Sequence, residues 1–301
     1  MTPTFGAIEA GGTKFVCMIG NGPDDILDID RFPTTSPGET LGRVLEFFRR
    51  PHPGVSLAAI GVASFGPIDL SPESPHYGQI TTTPKLPWQY TDVVGPLRAA
   101  FGVPVGWDTD VNGAALAERR WGAGIGADPL VYITVGTGIG GGALVGGEPV
   151  HGMLHPEMGH LLVPSFDGDE FPGVCPFHGR CLEGVASGPA LQARAGRPAQ
   201  DLAHDDPIWD LEATYLAYGI LCMTEILAPE RVVVGGGVAE QPALIPAIRR
   251  QLLRLNNGYL AWMAEPGAIE AYVVSPGLGD RAGILGALEL ARRAYAAAEH
   301  Q

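Results

Sequence analysis

Leu130-Val131-Tyr132-Ile133-Thr134-Val135 is an apolar, β-branched run, and Gly136-Thr137-Gly138-Ile139-Gly140-Gly141-Gly142 follows it directly. Ala143-Leu144-Val145 then resumes the apolar pattern. The stretch reads as a strand, a glycine turn and a returning strand. Gly136, Gly138 and Gly141 also match the dinucleotide-binding pattern G-x-G-x-x-G. That fingerprint opens a helix, however, and here a second strand follows. No acidic residue closes a further strand at the usual distance, because Glu157 sits in a loop with Pro and His. The hairpin reading is preferred, and a nicotinamide-dependent dehydrogenase is the lesser alternative.

The same unit opens the chain. Phe5 to Glu9 is strand-like, Ala10-Gly11-Gly12-Thr13 is a turn, and Lys14 to Ile19 returns. A Walker A reading of Gly6 and Gly11 fails, since Gly12-Thr13 stands where Lys-Ser/Thr is required. Gly12-Thr13 and Gly136-Thr137 thus hold equivalent places, which predicts two related halves. Between them, helical spacing covers Thr40 to Arg50, Thr91 to Phe101 and Asp110 to Trp121, with strands at Leu57 to Ala63 and Val103 to Trp107. Residues 71–90 read as loop. Beyond residue 150 come a helix (Asp210 to Leu227), a strand (Arg231 to Val234), Gly235-Gly236-Gly237, a helix after Pro242, a strand (Ala271 to Val274) and a final helix from Gly283. Strands alternating with helices predict an α/β class. The expected domains are 1–109, with 283–301 packing back on it, and 110–282.

At 301 residues the length suits two domains, and 46% hydrophobic against 17% charged residues supplies a buried core. The 43 glycines lack a three-residue period, which excludes collagen. A net charge of −14 offers no basic field for nucleic acid or an anionic membrane. No apolar run is long enough to span a bilayer, and Met1-Thr2-Pro3-Thr4-Phe5 lacks a secretory pattern. With four cysteines in so long a chain, the expectation is a reducing cytoplasm.

Three glycine turns that each follow an apolar strand suggest phosphate cradles. Gly11, Gly12, Thr13 and Lys14 offer N–H groups, a hydroxyl and charge, and Gly136, Thr137 and Gly138 repeat the device. Gly235, Gly236 and Gly237 suit a flat base or ribose. Asp110 lies where a strand meets a helix at the expected domain junction. It fits a helix cap, or a base accepting a hydroxyl proton in phosphoryl transfer, and Asp108 is its local competitor. His160 upstream, with Cys175, His178 and Cys181, makes a thiolate–imidazole set for a structural Zn²⁺. His155 rivals His160, and a Cys175–Cys181 disulfide or two free thiols are the alternatives. Glu157 and Glu183 flank this set and suit hydrogen bonds to sugar hydroxyls.

Residues 6–14, 108–118, 136–142, His155-Pro156-Glu157-Met158-Gly159-His160, 175–184 and Val232-Val233-Val234-Gly235-Gly236-Gly237 together resemble the ROK family of sugar kinases and repressors. The Cys-x-x-His-x-x-Cys spacing and Thr83-Pro84-Lys85-Leu86-Pro87-Trp88 are most similar to its bacterial fructokinases. The resemblance implies a duplicated, ribonuclease H-like, actin-like ATPase fold with two domains around a cleft. It implies ATP with Mg²⁺, a structural Zn²⁺, a homodimer, and transfer to the 6-hydroxyl of a hexose, expected to be fructose, with mannose or glucose as alternatives. Asp110 is the implied base. Glu157, His160, Glu183 and Lys85 are implied on the sugar side, with His160 also on zinc, and Pro189 beside the nucleotide. Thr109 departs from the Asn of many family glucokinases, which weakens a glucose assignment. A family repressor would need an added DNA-binding domain, for which the first strand near Phe5 leaves no room.

Overall fold

The computed structural model describes residues 3–166 and 168–299. Met1 and Thr2 of the expected start, and the last two residues of the expected final helix, lie outside the described residues. In chain order the elements are β1 (Thr4–Ala10), β2 (Lys14–Gly22), β3 (Asp25–Pro33), α1 (Pro37–Arg49), β4 (Leu57–Ser64), β5 (Gln79–Ile80), β6 (Thr91–Asp92), α2 (Val94–Phe101), β7 (Val105–Thr109) and α3 (Asp110–Trp121). They continue with β8 (Leu130–Val135), β9 (Ile139–Val145), β10 (Glu148–Pro149), α4 (Leu182–Ala186), α5 (Gly188–Ala195) and α6 (Ile208–Leu227). The last are β11 (Arg231–Gly235), α7 (Leu244–Asn256), α8 (Ala268–Tyr272), β12 (Val273–Val274) and α9 (Ala282–Glu299).

The chain divides into two compact units. The first takes the residues up to Trp121, His151–His155 and the chain from Asp280 on; the second takes Gly122–Val150 and Pro156–Gly279. Among the described residues, the first holds a sheet ordered β3-β2-β1-β4-β7 and the second one ordered β10-β9-β8-β11-β12. Each has an antiparallel hairpin on one side and parallel strands on the other. The two orders are the same device used twice, as the matching Gly-Thr turns suggest.

In the first unit β1, β2 and β4 are buried almost throughout, because helices cover both sheet faces. Phe48 of α1 packs on Gly6 on one face. On the other, a Cβ at Gly61 would overlap the Ala287 carbonyl of α9. A glycine pair brings α3 against α9: a Cβ at Gly286 would overlap the backbone of Gly113. This packing is why α3 belongs to the first unit, so the boundary falls after Trp121 rather than between 109 and 110.

The strand expected over Ala271 to Val274 is only Val273–Val274, because helix α8 runs through Tyr272, and two further local points differ from the sequence reading. β3 is an edge strand that the sequence hides, because Asp25, Asp28 and Asp30 lower its strand propensity while guarding an unpaired edge. Within 91–101, Thr91 and Asp92 pair with β5, and the helix starts only at Val94, since Asp92 Oδ1 accepts from Gly95 N at 2.8 Å.

In the second unit β8, β11 and α6 pack around Ile133, Val135, Leu182, Tyr215, Ile220, Val232 and Ile248. Among the described residues no helix is long and apolar enough to cross a membrane. Asp169 sits in the loop before α4 and takes both Arg194 nitrogens, at 2.7 and 2.8 Å, and the Tyr215 hydroxyl at 2.5 Å. The Arg194 guanidinium holds the Asp169 carboxyl well below the usual carboxylate range. Its contribution to stability is therefore full above the unfolded value near pH ~4 and is lost as pH falls through the lower folded value. Asp169→Asn should cost about 1–3 kcal/mol at neutral pH. In urea unfolding the gap from wild type should narrow toward about pH 3.5, and a constant gap would contradict this.

Candidate functional site

Register decides what stands together at the sheet edge of the first unit. Ala10 pairs with Ser64, and Ser64 with Thr109, so β1, β4 and β7 end level. The Gly11-Gly12-Thr13 turn leaves the first of these strands and Asp110 leaves the third. They are two strand spacings apart, roughly 10 Å. Carboxyl ends of parallel strands are where open α/β sheets take ligands. Gly11 N donates to Lys14 O at 3.0 Å, and a Cβ at Gly11 would crowd that same oxygen at 2.7 Å. Thr13 and Lys14 are exposed, and Lys85 lies half-buried across Gly12.

The junction at Asp110 is built by its neighbours. Thr109 caps α3, its Oγ1 accepting from Asn112 N at 3.2 Å. The residue that departs from the glucokinase pattern is thus buried in a helix cap. Asp108 is 3% exposed. Its Oδ1 accepts from Thr109 N at 2.7 Å and from Asn112 Nδ2 at 2.8 Å, and its Oδ2 lies 3.0 Å from His151 Nε2. These partners make Asp108 a lock on the junction. Asp110 is half-buried, with Oδ1 accepting from Val111 N at 2.9 Å. Of the two carboxylates it is the more accessible. The Asp108–His151 pair was not legible in the sequence, because the partners are far apart in the chain and His151 belongs to no spaced motif.

In the second unit His160, Cys175, His178 and Cys181 converge, with their ligand atoms all within 4.8 Å of one another. Cys175 Sγ is 3.8 Å from the Nδ1 atoms of both His160 and His178, and Cys181 Sγ is 3.5 Å from His160 Nδ1. Donors bound tetrahedrally to zinc at about 2.0–2.3 Å lie roughly 3.3–3.8 Å apart, so the set fits that ion. His155 is elsewhere: it is buried in the first unit, and its Nε2 accepts from Ile68 N at 3.1 Å.

The metal loop and the glycine turn are one construction. Glu183 follows Cys181 on α4, and its Oε2 accepts from Ile139 N at 3.0 Å. Glycine at 138 leaves room for that oxygen, which would lie 2.5 Å from a Cβ there. Burial, and secondarily the negative charge of Glu183, pushes the Glu157 carboxyl up to about 7.

A cavity of 680 Å³ opens beside the turn, lined by Gly136, Thr137, Pro189 and Gly237 of the expected nucleotide residues. Gly188 N donates to Gly136 O at 2.8 Å, so α5 begins at the cavity with Ser187 as its cap. A helix start presents N–H groups to an anion. Gly235 pairs with Thr134, so the third turn emerges at the same sheet end. Gly138, Gly235 and Gly236 do not line the cavity. Gly235 packs against Tyr132 and Pro276, and Gly236, with φ +91°, lets the turn pass against the Val135 backbone. Gln192, Trp209 and Gln241 also line the cavity. The sequence reading did not single them out, as residues of a cavity wall carry no fixed type or spacing.

Cys181→Ser should reduce zinc from about one per chain to near none and loosen residues 155–184, because ligation and local folding are coupled. Metal analysis and limited proteolysis check this; wild-type protein purified without zinc would remove the site.

A family model described as "ROK family" matches residues 5–294. The chain is 46% identical to a fructokinase of Zymomonas mobilis, over 95% of this chain and 96% of that protein. It is 41% identical to a fructokinase of Pediococcus pentosaceus, over 96% and 98% respectively. The crystal structure of a ROK hexokinase from Thermus thermophilus superposes with a TM-score of 0.79 at 29% identity, covering 99% of this chain and 100% of that one. The duplicated sheets are therefore those of the actin-like ATPase fold, and the chain belongs to the ROK family.

Proposed function

We propose that this protein is an ATP-dependent fructokinase that converts D-fructose to D-fructose 6-phosphate. The observation that carries the chemistry is the level ending of β1, β4 and β7, which sets a glycine turn and an accessible carboxylate on one sheet edge. The preference for fructose rests on the 46% identity to the Zymomonas mobilis fructokinase.

The C6 oxygen attacks the γ-phosphorus in line, its proton passes to Asp110, and the bond to the β–γ bridging oxygen breaks to release ADP. Asp110 Oδ1 is engaged by the Val111 amide, which orients the carboxylate. The turn at Gly11 to Lys14 binds phosphate in the first unit. Gly136, Thr137, Pro189 and Gly237 take the nucleotide in the second. Mg²⁺ brought with ATP would offset part of the triphosphate charge.

On the sugar side, His160 presents Nδ1 to the thiols, so Nε2 remains for a hydroxyl. Zinc held by His160, Cys175, His178 and Cys181 would fix that tautomer and the loop. Glu183 keeps one carboxylate oxygen beyond the one on Ile139, and Glu157 supplies a second carboxyl. A homodimer in the cytoplasm, where thiols stay reduced, completes the reading.

The ROK hexokinase fold match favours one second reading, a broader hexose kinase acting also on mannose or glucose. An ATP-dependent phosphorylation screen over a hexose panel, with kcat/KM for each sugar, decides between them. Fructose should lead by at least tenfold, a difference of about 1.4 kcal/mol in transition-state binding. Asp110→Asn keeps the acceptor for Val111 N and should fold normally by circular dichroism, yet lose about 10²–10⁴-fold in kcat. Turnover close to wild type would reject Asp110 as the base.

A further inference from the structure

Lys14 and Lys85 are the only lysines in the sequence; every other residue among the 19 Lys plus Arg is arginine. The fold brings both to the first glycine turn. Lys14 opens β2 directly after Thr13. Lys85 arrives from a separate loop and lies across Gly12, where a Cβ would stand 3.7 Å from Lys85 Cε.

The two lysines differ in setting. Lys14 is exposed and attracted by Glu9, which shares its face of the β1–β2 hairpin. Lys85 is half-buried, and among the described residues no carboxylate pairs with it. Its position comes instead from a rigid loop. Lys85 N donates to Thr83 Oγ1 at 3.4 Å, and Trp88 N donates to Lys85 O at 2.8 Å. Trp88 is buried, donates from Nε1 to Thr35 O at 2.9 Å, and packs on Phe15 of β2 with ring centroids 5.4 Å apart. The loop is thus pinned to the strand that leaves the turn, and the Lys85 backbone is held beside it.

A half-buried lysine beside a glycine turn, with no carboxylate among the described residues as its partner, suits an anion better than neutral sugar hydroxyls. An ammonium is also a compact charge with three donors, suited to phosphoryl oxygens. We propose that Lys85, set across Gly12 at the first glycine turn, is a catalytic residue that binds the γ-phosphoryl group, rather than a ligand of the sugar. The inference rests on the reading of the protein as an ATP-dependent kinase.

As the sugar C6 oxygen bonds to the γ-phosphorus, the bond to the β–γ bridging oxygen breaks, its electron pair leaves with ADP, and the hydroxyl proton passes to Asp110. Lys85 keeps its own protons and donates hydrogen bonds to non-bridging oxygens, whose charge it offsets as the bonds exchange. The spacing suits this division. A hydrogen bond to the base, the approaching O–P pair, a P–O bond and a hydrogen bond to the lysine span roughly 10 Å end to end. The backbones of Asp110 and the turn, two strand spacings apart at one sheet end, leave a gap of that order.

Lys85→Met removes the charge and keeps most of the stem. The variant should lose about 10²–10³-fold in kcat, as loss of one charge-stabilising donor does. Calorimetry should show fructose binding within about twofold of wild type and ADP binding unchanged. Binding of the non-hydrolysable β,γ-imido analogue of ATP should weaken about tenfold, a factor one lost charge-assisted contact accounts for. Lys85→Arg, which keeps the charge, should recover part of the turnover. Fructose binding weakened tenfold or more with kcat preserved would return Lys85 to the sugar and overturn the proposal, as would kcat within about threefold of wild type. Should wild-type protein fail to phosphorylate fructose at all, the substrate assignment falls. The comparison of ADP with the imido analogue in Lys85→Met would still decide the lysine's role: equal weakening of both, or of neither, overturns it.

Discussion

Strand register is the constraint on which the chemistry depends. Backbone hydrogen bonds fix Ala10 opposite Ser64 and Ser64 opposite Thr109. A slip of one residue would turn every side chain on a strand to the other face. It would also raise or lower Asp110 against the glycine turn by about 3.3 Å, more than a hydrogen bond tolerates. The register is secured by burial on both faces. Gly61 admits the α9 backbone on one side and Gly6 admits Phe48 on the other, so neither face accepts the side chains a slipped strand would bring.

The second unit applies the same constraint to a different task. Its sheet has the same order, and Gly235 opposite Thr134 brings two glycine turns to one end. In the first unit Asp110 and the Gly11–Lys14 turn stand at the strand ends. In the second a cavity opens there, with Gly136, Gly188 and Gly237 in its wall. One supersecondary unit, used twice, thus ends beside a carboxylate in one case and beside a glycine-lined cavity in the other.

How much of this the sequence carries follows from range. The glycine turns, the strands before them and α3 are local patterns, and Leu130–Val135 and Asp110–Trp121 occur with the bounds the periodicity gives. The Cys175, His178 and Cys181 spacing brings three donors within reach of one another, and the fold selects His160 over His155 as the fourth. What the sequence hides depends on partners far apart in the chain. Asp108 meets His151, α3 meets α9 through Gly113 and Gly286, and Lys85 meets Gly12. β3 was hidden for the opposite reason: its aspartates are a local signal for a turn, overruled by pairing with β2. At Gly235 and Gly236 a Cβ would meet Tyr132, Pro276 and the Val135 backbone, so packing alone already calls for glycine there.

The segment between β10 and α4 shows why polar anchors are needed here. It runs for about thirty residues with only one short turn of helix, Met158–His160. Long stretches without repeating backbone hydrogen bonds do not hold themselves in one conformation. Yet this one must keep Glu157 close enough to Glu183 for their charges to repel, which favours opening. Apolar contacts oppose that in part, as Met158, Leu161, Val163, Phe166 and Phe171 pack against the core while Leu162 and Phe177 remain exposed. Further restraint comes from directional contacts along the loop. Four nitrogen and sulfur donors gather around His160, while Asp169 grips Arg194 and Tyr215, and Arg180 of the donor loop reaches that same hydroxyl at 3.0 Å. With the loop fastened this way, two mutually repelling carboxyl groups are held near one another, and a hydrogen-bond donor brought to Glu157 would offset the cost of its burial.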